Sequence, residues 1–252
     1  MSEFPIRRLG ILLRLHRRHR FIGRIFHQIR KLAKGRKVHV EISLDRPTAK
    51  VTTALNKALQ GLPRTVTFHC DQPVLPILSA EHGEQWMANL RIQYERLLSH
   101  LPVQACILWD DDWLFSEEGL RETRGHLLDL KADRYEALSL FFWDDPNTYH
   151  AGMLSHMSPV MFRCYPGDDF DERFVVGAPL KVSRSSRRAA LHWPLLNYGY
   201  LTQTDRDLAW QESKAAGRVD GHSMHFIESR PPLKPYLNET APQLWQSHAP
   251  TP

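Results

Sequence analysis

Apolar and polar positions along the first 130 residues fall into blocks of two kinds. Leu9 to Leu15 is an apolar run of strand length. Phe21, Ile22, Ile25, Phe26, Ile29, Leu32 and Ala33 then recur at helical spacing up to Gly35, a helix stop. Val38 to Leu44 is a β-branched run ending in Asp45-Arg46-Pro47, and Thr48 is placed to cap a helix carrying Val51, Ala54, Leu55, Ala58 and Leu59 before Gly61. Thr65 to His69 predicts a third strand, and Trp86, Leu90, Tyr94, Leu97 and Leu98 mark one face of a helix ending near His100. Val103 to Trp109 is apolar except for Gln104, the pattern of a central parallel strand covered on both faces. Glu117 to Leu130 predicts another helix, and Glu136 to Trp143 and Met157 to Arg163 predict further strands. Such alternation predicts an α/β domain with a mostly parallel central sheet flanked by helices, over residues 1–215. Residues 216–252, with Pro231, Pro232, Pro235, Pro242, Pro250 and Pro252, read as a proline-punctuated extension.

Composition narrows the class. A chain of 252 residues with 42% hydrophobic and 24% charged residues is not a disordered segment, a collagen-like repeat or a heptad rod. Cys70, Cys106 and Cys164 form no C-x-x-C pair, which removes a disulfide framework and a cysteine zinc site and points to a reducing compartment. The 14 histidines contain no H-E-x-x-H and no short repeated pair suited to zinc. The net charge of +5 is concentrated at the amino-terminal edge: no acid lies between Glu3 and Glu41, where arginines and lysines crowd. Arg14 interrupts the first apolar run too early for an export signal or a membrane span, so a cytoplasmic protein with no transmembrane segment is expected.

Candidate chemistry gathers at strand ends. Asp110-Asp111-Asp112 follows the buried-type strand directly, and ligands of open parallel sheets bind beyond the carboxyl ends of strands. Three close carboxylates repel one another unless a cation lies between them, and oxygen ligands favour Mg²⁺ or Mn²⁺, which suits a diphosphate substrate. Asp45 and Arg46 end the second strand at the same edge, where the carboxylate can accept from a base or ribose or else serves a helix-entry turn. Trp143 precedes Asp144 and Asp145 and can stack on a sugar or base, and Asp168 and Asp169 follow the Pro166-Gly167 turn.

These parts in their order resemble the nucleotide-sugar glycosyltransferases of the GT-A fold, in their inverting branch with a single Rossmann-type nucleotide-binding domain. Leu12 to Arg18 resembles the first strand and loop, Ile42 to Thr48 the second strand with its nucleotide-binding acid, and Ile107 to Asp112 the D-x-D element. Gln85 to Arg91 is similar to the helix that approaches the nucleotide, and Leu196 to Thr202 with Asp205 and Arg206 to a carboxyl-terminal segment. The resemblance spans roughly residues 8 to 215. It implies a nucleoside-diphosphate-sugar donor contacted by His16, Arg17, Asp45, Arg46, Asn89, Asp110 and Asp111, and Mn²⁺ or Mg²⁺ held by Asp110, Asp112 and Asn197. Asn197 stands where relatives place a histidine, with His192 nearby. A general base is required, and Asp168, Asp169 and Asp144 are its candidates. Trp143, Arg24 and Arg30 are candidates for acceptor contact. An anionic acceptor fits the basic edge, either a hydroxymethylated pyrimidine in viral DNA or a glycan or lipopolysaccharide. The competing readings are a non-enzymatic nucleic-acid-binding protein using the basic amino-terminal region and a nucleotidyltransferase.

Overall fold

The computed structural model describes residues 5–15, 20–44, 47–71, 82–153, 157–164, 187–215 and 232–246. Strand and helix alternate through its first half: β1 (Arg8–Leu15), α1 (Ile22–Leu32), β2 (Lys37–Leu44), α2 (Ala49–Gln60), β3 (Val66–Asp71), α3 (His82–His100) and β4 (Ala105–Asp110). Then come β5 (Trp113–Phe115), α4 (Glu117–His126), β6 (Arg134–Trp143), β7 (Asp145–His150), β8 (Met157–Arg163), β9 (Arg188–Ala190) and β10 (Leu195–Asn197). The described chain closes with α5 (Gln203–Ala215), β11 (Leu233–Pro235) and α6 (Ala241–Gln246).

Among the described residues the sheet has 11 strands, with a main path β11-β7-β6-β8-β4-β1-β2-β3. β3, β2, β1 and β4 pair in parallel. β8 lies antiparallel to β4, β6 antiparallel to β8, and β7 antiparallel to β6. The sheet is therefore mixed, which corrects the mostly parallel sheet expected from the alternation. The physical reason is connection length: β6 and β7 are separated by Asp144 alone, and so short a link forces antiparallel pairing. β7 itself, Asp145 to His150, is polar over its first half and gives no apolar run to read.

The parallel half folds as its pattern dictates. Ile22, Ile25, Phe26, Ile29 and Leu32 of α1 are fully buried, each contributing roughly 1.5–3 kcal/mol over an exposed position. Thr48 Oγ1 accepts from the Val51 amide to cap α2, and Ser116 Oγ accepts from the Gly119 amide to cap α4. On the other face, Gly10 lets α3 approach β1 closely, since a Cβ there would overlap the Leu97 side chain. The proline-punctuated segment contributes to the same core: β11 pairs with β7, Ala241 and Leu244 are buried, and the Ala241 amide donates to the His192 carbonyl.

Part of the amino-terminal positive charge is paired within the chain. Arg36 is buried and donates to the carbonyls of Ile6 and Leu32, with burial lowering its pKa. Arg30 donates to the Ala58 and Gly61 carbonyls at the end of α2, and Lys31 pairs with Glu117. No described helix is long and apolar enough to cross a membrane.

Candidate functional site

The acidic triplet sits on a stapled turn between β4 and β5. The Trp109 indole N–H donates to the Trp113 carbonyl at 2.8 Å across the three aspartates, and its ring packs edge-on against Phe115. Gln28, a polar residue on the buried face of α1, satisfies Phe115 in both directions: its Nε2 donates to the carbonyl and its Oε1 accepts from the amide. β5 then pairs antiparallel with β10, which also runs parallel to β6, so that Asn197 lies opposite Trp113 on one side and Phe141 on the other. The Tyr198 amide donates to the Asp112 carbonyl. Two segments about 85 residues apart are thereby locked at one edge.

Arg14, at the carboxyl end of β1, meets Asp110 at the end of β4. Arg14 Nε donates to Asp110 Oδ1 and Arg14 Nη2 to Oδ2, both at 2.9 Å, a two-point pair. Burial disfavours the guanidinium, but Asp110, Asp111 and Asp112 together outweigh it and raise the Arg14 pKa. The strand register continues the row through Ser43 and Asp71. A pocket opens here between the sheet and α3, lined by Leu12, Arg14, Ser43, Asp110, Asn89 and Gln93. Gln93 is buried, and its Nε2 has no hydrogen-bond partner among the described residues. An unmet buried donor of this kind costs roughly 1–3 kcal/mol unless a ligand accepts from it.

Asp112 and Asn197 converge over Gly199. A Cβ at Gly199 would overlap Asp112 Oδ2 and fall 3.0 Å from Asn197 Oδ1, so only glycine lets these two side-chain oxygens approach the backbone this closely. The Gly199 amide donates to Asn197 Oδ1 at 2.8 Å, which fixes the side-chain amide with its oxygen toward Gly199, on the side where Asp112 Oδ2 approaches. Asp111 and Asp112 are both buried, at 3% and 8% exposure. An all-oxygen donor set of a carboxylate and an amide carbonyl fits Mg²⁺ or Mn²⁺ and suits softer ions less.

Asp144 lies at the neighbouring edge, in the left-handed backbone region at φ 60° between β6 and β7. Its exposed carboxylate pairs with Arg206 Nη2 at 2.7 Å, and Arg206 in turn donates to the Tyr200 carbonyl. The Arg206 guanidinium lies 4.6 Å over the Trp143 ring, which also stacks with Tyr200 at 6.2 Å. Trp143 is only 5% exposed, so its faces are taken by Arg206 and Tyr200 and the stacking surface expected for a ligand is covered. Arg24 is exposed and near enough to lower the Tyr198 hydroxyl pKa partway, against burial, which raises it. Arg30 instead caps the end of α2.

The structure thus gathers Asn89 and Asp110 at one pocket, Asp112 and Asn197 at one cradle, and Asp144 beside Trp143. His16, Arg17, Asp45, Arg46, Asp168 and Asp169 lie outside the described residues. Sequence reasoning left Arg14, Gln93, Gly199 and Arg206 without roles. Arg14 carried a signal, a charge inside an apolar strand, and burial of that kind calls for a partner. Gln93 and Gly199 carried none that a single chain displays.

Neither a protein-family model nor a curated protein matches the sequence. Among solved structures, the fold is similar to residues 1–349 of S. aureus TarS, at TM-score 0.45 and 10% identity over 87% of this chain and 68% of that one. It is similar to a mannosyltransferase of Pyrobaculum calidifontis solved with GDP-Man and Mn²⁺, at 0.48 and 12% over 89% and 69%. The TarS fragment solved with UDP-GlcNAc gives 0.40 and 10% over 87% and 70%. At these identities no residue role passes from those proteins to this chain.

Proposed function

We propose that this chain transfers a sugar from a nucleoside diphosphate to an acceptor hydroxyl, with inversion and with Mn²⁺ or Mg²⁺ as cofactor. The observation that carries the reading is the cradle over Gly199, where Asp112 and Asn197 present oxygens beside a pocket holding an unmet donor. Asp112 and Asn197 would hold the cation, which supplies charge to offset a departing diphosphate.

The pocket residues perform the binding. Gln93 Nε2 donates to a base or ribose oxygen, Asn89 adds a second polar contact, and Arg14 with Asp110 fixes the pocket edge. Asp144 is the described candidate to take the acceptor proton, held in place by Arg206, with Asp168 and Asp169 the alternatives. Tyr200, half-exposed beside it, offers the acceptor a ring edge in place of Trp143. The pairing of Arg30 and Lys31 with groups of this chain weakens the case for DNA and favours a glycan or lipopolysaccharide acceptor.

The test is a panel of nucleoside-diphosphate sugars incubated with Mn²⁺ or Mg²⁺, reading release of the nucleoside diphosphate. One donor is expected to be hydrolysed slowly without acceptor, with loss of turnover in chelator and in Asp112→Asn. If no donor is hydrolysed and none raises the thermal midpoint, the reading is wrong. Transfer to DNA carrying hydroxymethylated pyrimidines, with no transfer to glycans, would reverse the acceptor preference.

A further inference from the structure

A second cluster of ligating side chains lies on the α3 face of the sheet, away from the Asp112 cradle. His39 and Glu41 alternate along β2 and so share a side, and both are buried, at 4% and 1% exposure. The His39 Nε2 is 2.8 Å from Glu41 Oε1, and His69 Nδ1, from the neighbouring strand, is 3.0 Å from Glu41 Oε2. His100, the last residue of α3, stacks on His39 with centroids 4.9 Å apart and lies 5.7 Å from the His69 ring. One ligand atom from each of His39, Glu41 and His100 falls within 4.8 Å of the others.

The convergence of these ligand atoms suits a cation. His39 Nδ1 lies 2.7 Å from Thr67 Oγ1 and its Nε2 2.8 Å from Glu41 Oε1, so both ring nitrogens have a polar partner. Two imidazoles and one carboxylate form a set suited to zinc, and a ligating histidine held at its other nitrogen is the usual supporting arrangement.

We propose that His39, Glu41 and His100 bind one zinc-class divalent cation, with Thr67 orienting His39 and His69 holding the second oxygen of Glu41. The site ties the carboxyl end of α3 to β2. It is independent of the proposed transfer chemistry, because its ligands line neither the donor pocket nor the Gly199 cradle.

The test uses the full chain, stripped with a chelator and titrated with Zn²⁺ against a chromophoric competitor, with thermal midpoints read alongside. The wild type is expected to bind one equivalent and to gain several degrees. His100→Ala, at an exposed position, should lower affinity at least tenfold and lose the gain, while Asp112→Asn should keep both. Glu41→Gln, which preserves side-chain shape, is the second probe, with circular dichroism checking its fold. It should lose zinc as His100→Ala does. Wild type that takes up no zinc would mean that the cluster is held by hydrogen bonds alone. Binding unchanged in His100→Ala and Glu41→Gln, or abolished by Asp112→Asn, would also overturn the proposal.

Discussion

Arg14 and Asp110 are register partners on adjacent parallel strands, and their side chains form two hydrogen bonds of 2.9 Å across the carboxyl edge of the sheet. Both Asp110 oxygens therefore accept from one guanidinium. The division of labour within the triplet follows from this: Asp110 builds the pocket edge with Arg14, and Asp112 faces the Gly199 cradle.

Replacing Arg14 should damage donor binding before it damages the fold. Arg14→Met leaves the Asp110 carboxylate partly buried without its fork, a cost of roughly 1–3 kcal/mol. Donor affinity measured by calorimetry should fall about tenfold, and Arg14→Lys should recover only part of it, since an ammonium cannot make the two-point contact. Equal affinity in wild type and Arg14→Met would remove Arg14 from the donor pocket.

Gly199→Ala is a steric probe of the cation cradle. Its Cβ would displace Asp112 Oδ2 and crowd Asn197 Oδ1 while leaving both side chains present. Turnover should drop by roughly 10²-fold or more, with the deficit partly relieved by excess Mn²⁺, as expected for lost ligation. Asp112→Asn should show the same loss with less relief. A Gly199→Ala enzyme with normal metal dependence would place the cation elsewhere.

The general base separates from donor binding. Asp144→Asn should lower kcat by roughly 10²–10⁴-fold with donor affinity retained if Asp144 takes the acceptor proton. Asp168→Asn and Asp169→Asn make the same comparison for the two alternatives, and full activity in Asp144→Asn assigns the role away from it.

Acid stability should depend on Glu122. Burial raises its pKa, but donors from His126, the His192 and Trp193 amides and the His192 ring outweigh burial and bring it from 4.5 down to about 2. A depressed carboxyl stabilises the fold fully above pH 4.5 and loses that contribution as pH falls toward about 2. Discounted for its half-buried setting, the contribution is about 2 kcal/mol. Glu122→Gln should therefore be less stable than wild type at pH 7 and converge with it near pH 2, in urea unfolding followed across that range. Because Glu122 anchors the loop entering β10, metal-dependent stabilisation should fall in the variant as well.

What the sequence determined by itself was local. Apolar spacing placed α1, α2, α3 and β4 within a few residues, Thr48 marked the start of α2, and an acidic triplet after a buried strand marked the sheet edge where Asp110 lines a pocket. These are properties of neighbouring residues, where period and capping chemistry suffice. Tertiary structure alone decided which distant groups meet: Asn197 reaches Asp112 only because β10 inserts between β5 and β6, and Arg14 finds Asp110 only through strand register. It also withdrew Trp143 and Arg30 from the surface roles that their types suggested, by packing one under Arg206 and spending the other on the end of α2. The histidine cluster shows the same division, for His39, Glu41, His69 and His100 have no metal-binding spacing along the chain. They assemble because parallel strands and the end of α3 bring them side by side, a juxtaposition set by long-range pairing that no window of sequence contains.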